Sequence, residues 1–170
     1  PLTCSHLSSM GLLSCNEVRR LAEKLVTHDI NVVALPLTNA WLLGGRRSKS
    51  SNVYPFAPIK ELQRAGVLIA VGGDNVQDSW FPGGNFDPIS LMGFSLAFAQ
   101  LAPWERLGIA PFTTSSAHLM GLSWDGTFQI GSPADFVVLQ ARGWSEALSK
   151  PPERQVIVNG NLVDHDFSRT

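Results

Sequence analysis

The chain has 170 residues, 44% of them hydrophobic and 16% charged. That is the size of about one globular domain, with a composition that favours a buried core over disorder. A net charge of −1 leaves no basic stripe for nucleic acid and no polybasic run for an anionic membrane, and no apolar run approaches the roughly 20 residues of a bilayer span.

Leu2-Thr3-Cys4-Ser5 reads as a short strand running into His6, and residues 8–11 read as a loop. Ser14 with Glu17 three residues later is a capping box. The helix it opens places Val18, Leu21, Leu25 and Val26 on one face, with Arg19, Arg20, Glu23 and Lys24 outside. His28-Asp29 ends it. Residues 31–36 form a second buried strand closed by Pro36. Residues 40–56, rich in Gly, Arg, Ser and Asn, read as a long loop of the kind that carries function. Ile59 to Ala65 is a short helix stopped by Gly66. Residues 67–71 are a third strand, giving strand–helix–strand–helix–strand with crossovers long enough for parallel pairing.

Asp87-Pro88 opens a helix by N-cap and first-turn proline. Ile89, Leu91, Met92, Phe94, Leu96 and Phe98 make it apolar nearly all round, so deep coverage is expected. A further helix runs near Thr113 to Met120. Residues 135–139 and 155–158 read as strands, and Asn159-Gly160 before Leu162-Val163 is a two-residue hairpin signal. Cys4 and Cys15 are not spaced as a C-x-x-C pair. With no signal peptide they read as free thiols of a cytoplasmic protein. A start on Pro1, directly at a strand, suggests a fragment.

Asp74 is the first candidate for chemistry. The run Val67-Leu68-Ile69-Ala70-Val71 stops at Gly72-Gly73, and the next polar side chain is this carboxylate. An acid at the C-terminal end of a core strand faces the mouth where α/β folds bind ligands. The structural alternative is a turn cap, which Asp after glycines also supplies. His6 ends the first strand and can be catalytic or a satisfied structural histidine. His118, beside Leu119 and Met120, reads as structural, and His28 and His165 as exposed. Asp74 and His6 are expected at one end of a parallel sheet, pointing into one cavity.

Several motifs occur in a set order: Ser5-His6-Leu7-Ser8-Ser9-Met10, Leu35-Pro36-Leu37-Thr38-Asn39, Ile59-Lys60-Glu61-Leu62, Gly73-Asp74-Asn75-Val76-Gln77-Asp78, Gly131-Ser132-Pro133-Ala134-Asp135 and Val158-Asn159-Gly160. Together they resemble the C-terminal half of the amidohydrolase superfamily, specifically cytosine deaminase and its relatives. The resemblance implies the C-terminal part of a (β/α)8 TIM-like, metal-dependent hydrolase barrel. Residues 1–121 would supply strands six to eight, and residues 122–170 a β-sandwich segment. It implies that Asp74 is a ligand of a divalent metal, zinc or iron, and takes a proton from the bound water. It implies that His6 contacts the attacking hydroxide and the tetrahedral intermediate. Asn75 and Trp80 would bind the substrate, although Trp80 beside Phe81 also fits plain packing.

The family's His-x-His, its strand-five histidine and its proton-shuttling glutamate have no counterpart here, so most metal ligands would come from a missing N-terminal part. The loop after Asn39 carries an extra glycine, and Tyr54-Pro55 stands where an Arg-Gly pair is usual. The expected activity is hydrolytic deamination of cytosine or a related cyclic amidine or amide, with the isolated chain inactive. The expected partner is the missing N-terminal half or a second copy. The rival readings are a non-catalytic α/β binding or assembly module and a free-standing doubly wound domain with a small ligand at its strand ends.

Overall fold

The computed structural model describes residues 2–44, 54–150 and 152–163. Its first sheet is built from β1 (Leu2–Ser5), β2 (Ile30–Ala34) and β3 (Ile69–Val71), in that order. Both pairings are parallel, with Cys4 opposite Val32 and Val33 opposite Ala70. Parallel pairing puts the C-terminal ends of all three strands, and whatever follows them, on one side of the molecule.

The first crossover is helix α1 (Cys15–Thr27). Its start is the expected capping box: the Glu17 N–H donates to Ser14 Oγ, and Glu17 Oε2 accepts from the Ser14 N–H at 2.9 Å. Residues 8–11, expected as loop, instead belong to a short 3-10 helix, Ser8–Leu12. The inward face of α1 is Val18 and Ala22, with Leu25 at its margin, whereas Leu21 and Val26 are exposed. The small Ala22 lets the helix sit close to the sheet. Leu21 and Val26 flank that contact line and find nothing to cover them.

Pro36 does more than close β2. It is the first residue of α2 (Pro36–Leu43), a helix that occupies the start of the stretch expected as loop. Proline suits a first helical turn, where its missing N–H has no partner to lose. Of the rest of that expected loop, residues 54–56 are irregular, as expected, and residues 45–53 lie outside the described residues. Helix α3 (Ile59–Arg64) ends as expected, with Gly66 at φ 93. The third strand begins at Ile69 rather than residue 67, because Val67 N donates to Leu62 O and closes the helix end first.

The core lies between this sheet and its helices: Val32, Ala34, Ile59, Leu62, Ile69 and Leu101 are buried together. Helix α4 (Pro88–Ala99) starts on Asp87, whose side chain accepts from the Ile89 N–H. It is not deeply covered. Met92, Ser95 and Ala99 are buried, while Phe98 is exposed. An all-apolar helix with one face open has a contact to make that these residues do not supply. Helices α5 (Arg106–Ile109) and α6 (Thr114–Leu119) follow, the second matching the expected helix.

A second sheet, order β4 (Phe136–Leu139), β5 (Arg154–Val158), β6 (Asn161–Leu162), is antiparallel throughout. A short helix α7 (Trp144–Ser149) interrupts it. The Asn159-Gly160 turn is as expected: φ is 51 and 75, both positive, as a tight hairpin demands. Consecutive residues of a strand face opposite ways, yet Val137 and Val138 are both exposed. Among the described residues neither face of this sheet is fully covered. Among the described residues no helix is long and apolar enough to cross a membrane.

Candidate active-site mouth

The mouth grows from three strand ends. The ladder between β1 and β2 runs one step past the strand, with His6 N donating to Val33 O at 3.0 Å. Leu7 N then donates to Ser5 O, two residues back. His6 is therefore the apex of a three-residue turn, at φ 67. A side-chain-bearing residue in that region is strained, and such strain gathers at functional sites. On the other side, Gly72 N donates to Ala34 O at 3.0 Å, and Asp74 follows at φ 62. His6 and Asp74 thus stand at the same end of the parallel sheet, both in left-handed backbone.

Helix α2 sits between them and touches both. Thr38 is fully buried (0% exposed) and Asn39 nearly so (4%). Thr38 Oγ1 donates to Gly73 O at 3.4 Å and accepts from Asn75 N at 3.3 Å, which fixes the backbone on either side of Asp74. Asn39 Nδ2 lies 3.1 Å from His6 Nδ1. The Asn39 carbonyl oxygen is buried and without a hydrogen-bond partner among the described residues.

The loop after Asp74 is organised by Asp78. Its Oδ1 accepts from Trp80 N at 2.9 Å and Phe81 N at 2.8 Å, and its Oδ2 accepts from Asn75 Nδ2 at 2.6 Å. The Phe81 N–H first, then the Asn75 amide and the Trp80 N–H, hold the Asp78 carboxyl below the usual aspartate range. Phe81 in turn meets the Trp41 ring of α2 edge-on, centroids 6.1 Å apart.

The four residues singled out in sequence are placed as follows. Asp74 lines a cavity of about 270 Å³ with Gly73, Asn85, Asp87 and Phe112. Its carboxylate has no hydrogen bond or ion pair among the described residues. Asn75 is held by Asp78 through its amide nitrogen. Trp80 is 64% exposed, so it does not serve as core; Phe81 does the packing. His6 is exposed and does not line the Asp74 cavity. The single cavity expected to hold both is not formed by these residues, because three strands leave the mouth open on its remaining sides. His118 is also exposed, and lines a cavity with Asn31 and Val67 at the opposite end of the sheet. His28 is exposed, as expected, and His165 lies outside the described residues.

Sequence reasoning assigned nothing to Thr38, Asn39 or Asp78. Pro36 as a helix-starting residue would have placed Thr38 and Asn39 on the first turn of a helix at the mouth. Asp-Ser-Trp-Phe-Pro is a legible side-chain-to-backbone turn.

As to a metal, no group of three or more His, Cys, Asp or Glu that could hold an ion stands together among the described residues. A catalytic site takes three protein ligands or more. The uncommitted carboxylate of Asp74 fits one place in such a set, and the rest must come from outside these residues.

The sequence is 29% identical over 167 residues to the pterin deaminase of Rhizobium rhizogenes, covering 98% of this chain and 38% of that protein. It is 23% identical to N-isopropylammelide isopropyl amidohydrolase of a Pseudomonas species, covering 95% of this chain and 45% of the other. The fold superimposes on 5-methylcytosine deaminase from Klebsiella pneumoniae with a TM-score of 0.81 at 24% identity, over 95% of this chain and 40% of that one. The chain therefore spans less than half the length of these relatives. The model of the amidohydrolase family matches residues 1–164. The chain, with its parallel sheet and its mouth at the strand ends, belongs to the amidohydrolase family.

Proposed function

We propose that this chain is the C-terminal part of a metal-dependent amidohydrolase that hydrolytically deaminates a cyclic amidine. In this reading β1, β2 and β3 are strands six, seven and eight of a (β/α)8 barrel. Residues 1–121 form the barrel portion, and residues 122–170 contribute to a flanking β-sandwich. The observation that carries the proposal is the joint placement of His6 and Asp74. Both follow the C-terminal ends of parallel strands of one sheet, β1 and β3 on either side of β2, in strained backbone, in a chain whose family match runs over nearly its whole length.

The relatives favour the substrate class. Pterin, 5-methylcytosine and N-isopropylammelide, for which these relatives are named, each carry a nitrogen substituent on a ring carbon beside a ring nitrogen. Cytosine is the simplest member of that set. Asp74 would supply one ligand to a zinc or iron ion, the others coming from the polypeptide that completes the barrel. When bound, such an ion lowers the pKa of water toward neutrality and so makes a nucleophile available. Asp74, as an acceptor, also receives a proton there. His6 contributes a hydrogen bond to the oxygen that gains charge as the ring carbon is attacked. The exposed face of Trp80 offers a stacking surface for a planar ring. Asn75, oriented by Asp78, presents its remaining amide oxygen to an amino group.

The test is ammonia release by the protein containing this chain and the portion that completes it, assayed on cytosine, 5-methylcytosine, pterin and an aminotriazine. Turnover of at least one, with none by the 170-residue chain alone, is the expected result. No turnover of any by a metal-replete complete protein would favour the assembly-module reading.

A further inference from the structure

Asn39 is a buried polar side chain that reaches across to His6, and the chemistry of its amide constrains the imidazole. An amide nitrogen has only hydrogens to offer. With Asn39 Nδ2 3.1 Å from His6 Nδ1, a neutral imidazole in this contact accepts at Nδ1 and carries its proton on Nε2. We propose that Asn39 is a positioning residue that fixes His6 as the Nε2–H tautomer, so that His6 serves the mouth as a hydrogen-bond donor and not as a base. This deepens the function proposed above and rests on it for the role of His6, though not for the tautomer.

Three observations support the arrangement. The first is burial: Asn39 is 4% exposed, so the amide end of the contact is shielded from water even though His6 is exposed, and a polar group there cannot be left without a partner cheaply. The second is the orphaned oxygen. Turning the amide over would give His6 an acceptor, but would bury an NH2 group with neither hydrogen paired, where the present orientation pairs one hydrogen with His6 and leaves the carbonyl unpaired. Unpaired buried N–H groups are the rarer of the two in folded proteins. The third is the backbone. His6 is held at φ 67 by the His6 N to Val33 O and Leu7 N to Ser5 O hydrogen bonds. The ring therefore swings on a fixed pivot, and Asn39 sets its rotation.

The consequence is a division of labour. A histidine whose Nδ1 is occupied by a donor keeps Nε2–H for an electron-rich oxygen. Asp74, the uncommitted carboxylate beyond the end of β3 on the far side of β2, is then the acceptor of the pair. Proton removal falls to the carboxylate and charge stabilisation to the imidazole.

The experiment is nitrogen NMR of histidine-labelled protein, in the form that carries the completed barrel, joined to steady-state kinetics. In the wild type, His6 Nδ1 should give a pyridine-type signal and Nε2 a pyrrole-type signal; a protonated Nδ1 would overturn the proposal without any variant. Asn39→Asp replaces the donor with an acceptor and should invert the tautomer. It should lower kcat about 10–100-fold, the usual effect of removing a group that orients a site residue, with KM changed less than kcat. An Asn39→Asp protein that folds and keeps the Nε2–H tautomer would overturn it as well. The two readings fail separately. The expected tautomer without turnover of any amidine refutes the function and leaves the tautomer standing. Normal turnover with a protonated Nδ1 does the reverse.

Discussion

The Arg154 guanidinium grips the Asp87 carboxylate with two hydrogen bonds, Nη1 to Oδ1 at 2.7 Å and Nη2 to Oδ2 at 2.9 Å. The pair joins β5 of the second sheet to the first turn of α4, beside the cavity that Asp74 lines. The same carboxylate caps α4 through the Ile89 N–H and accepts from Ser90 Oγ. Arg154 first, then these two donors, hold the Asp87 carboxyl below its ordinary value, and Arg154 is raised in return.

Asp87→Ala removes both the cap and the pair, whereas Arg154→Ala removes only the pair. The expected losses are about 1–2 kcal/mol for Asp87→Ala, most of it from the cap, and at most about 1 kcal/mol for Arg154→Ala, since the pair is partly exposed. Asp87→Ser should recover the cap and leave the smaller loss. Denaturant melts of the three variants check this. Equal losses for Asp87→Ser and Asp87→Ala would show that the cap contributes nothing.

The loop that presents Asn75 and Trp80 should loosen in acid. Asp78 ionises below the ordinary value of 3.8 in the folded chain because two backbone N–H groups and the Asn75 amide bind its charged form. A depressed carboxyl contributes its full stabilisation above the ordinary value, and loses it as pH falls through the lower folded value. Amide exchange at Trp80 and Phe81 should therefore rise selectively below about pH 4. Asp78→Asn should show fast exchange at every pH. Exchange that does not respond to pH in the wild type would remove Asp78 as the organiser.

Much of this was legible from residues and much was not. The capping box at Ser14 and Glu17, the cap at Asp87 and the Asn159-Gly160 hairpin depend on neighbours a few positions away, and the sequence analysis placed each correctly. The face of α1 was misread because Ala22 became the inward residue in place of Leu21. Which residue meets the sheet depends on how close the helix approaches, and local periodicity does not carry that. The site shows the same division. His6 and Asp74 were singled out because each follows a strand, and the structure places both at one end of the sheet. Asn39 and Thr38 were not, because their partners lie 33 to 37 residues away in sequence.

The chain is expected to associate. Val137, Val138, Val158 and Leu162 are exposed on the second sheet, Phe98 on α4, and Phe86 is 90% exposed beside the mouth. Each such side chain left in water forfeits about 1.5–3 kcal/mol of burial. Among the described residues strand β1 is also an edge, with no strand paired to its other side. Light scattering of the 170-residue chain with a hydrophobic dye should show association and dye binding, relieved by the polypeptide that completes the barrel. A dilute, dye-negative monomer with a cooperative melt would mean that the chain closes its own core.

The central claim is that Asp74 holds a metal at the mouth. The most direct measurement is the metal content of the complete protein with and without Asp74→Ala, read alongside ammonia release. Asp74→Ala should lower bound zinc or iron well below one per chain, and lower turnover at least about 100-fold, the scale of losing a group that acts on the reacting atoms. Full metal occupancy with an unchanged rate in Asp74→Ala would contradict the account.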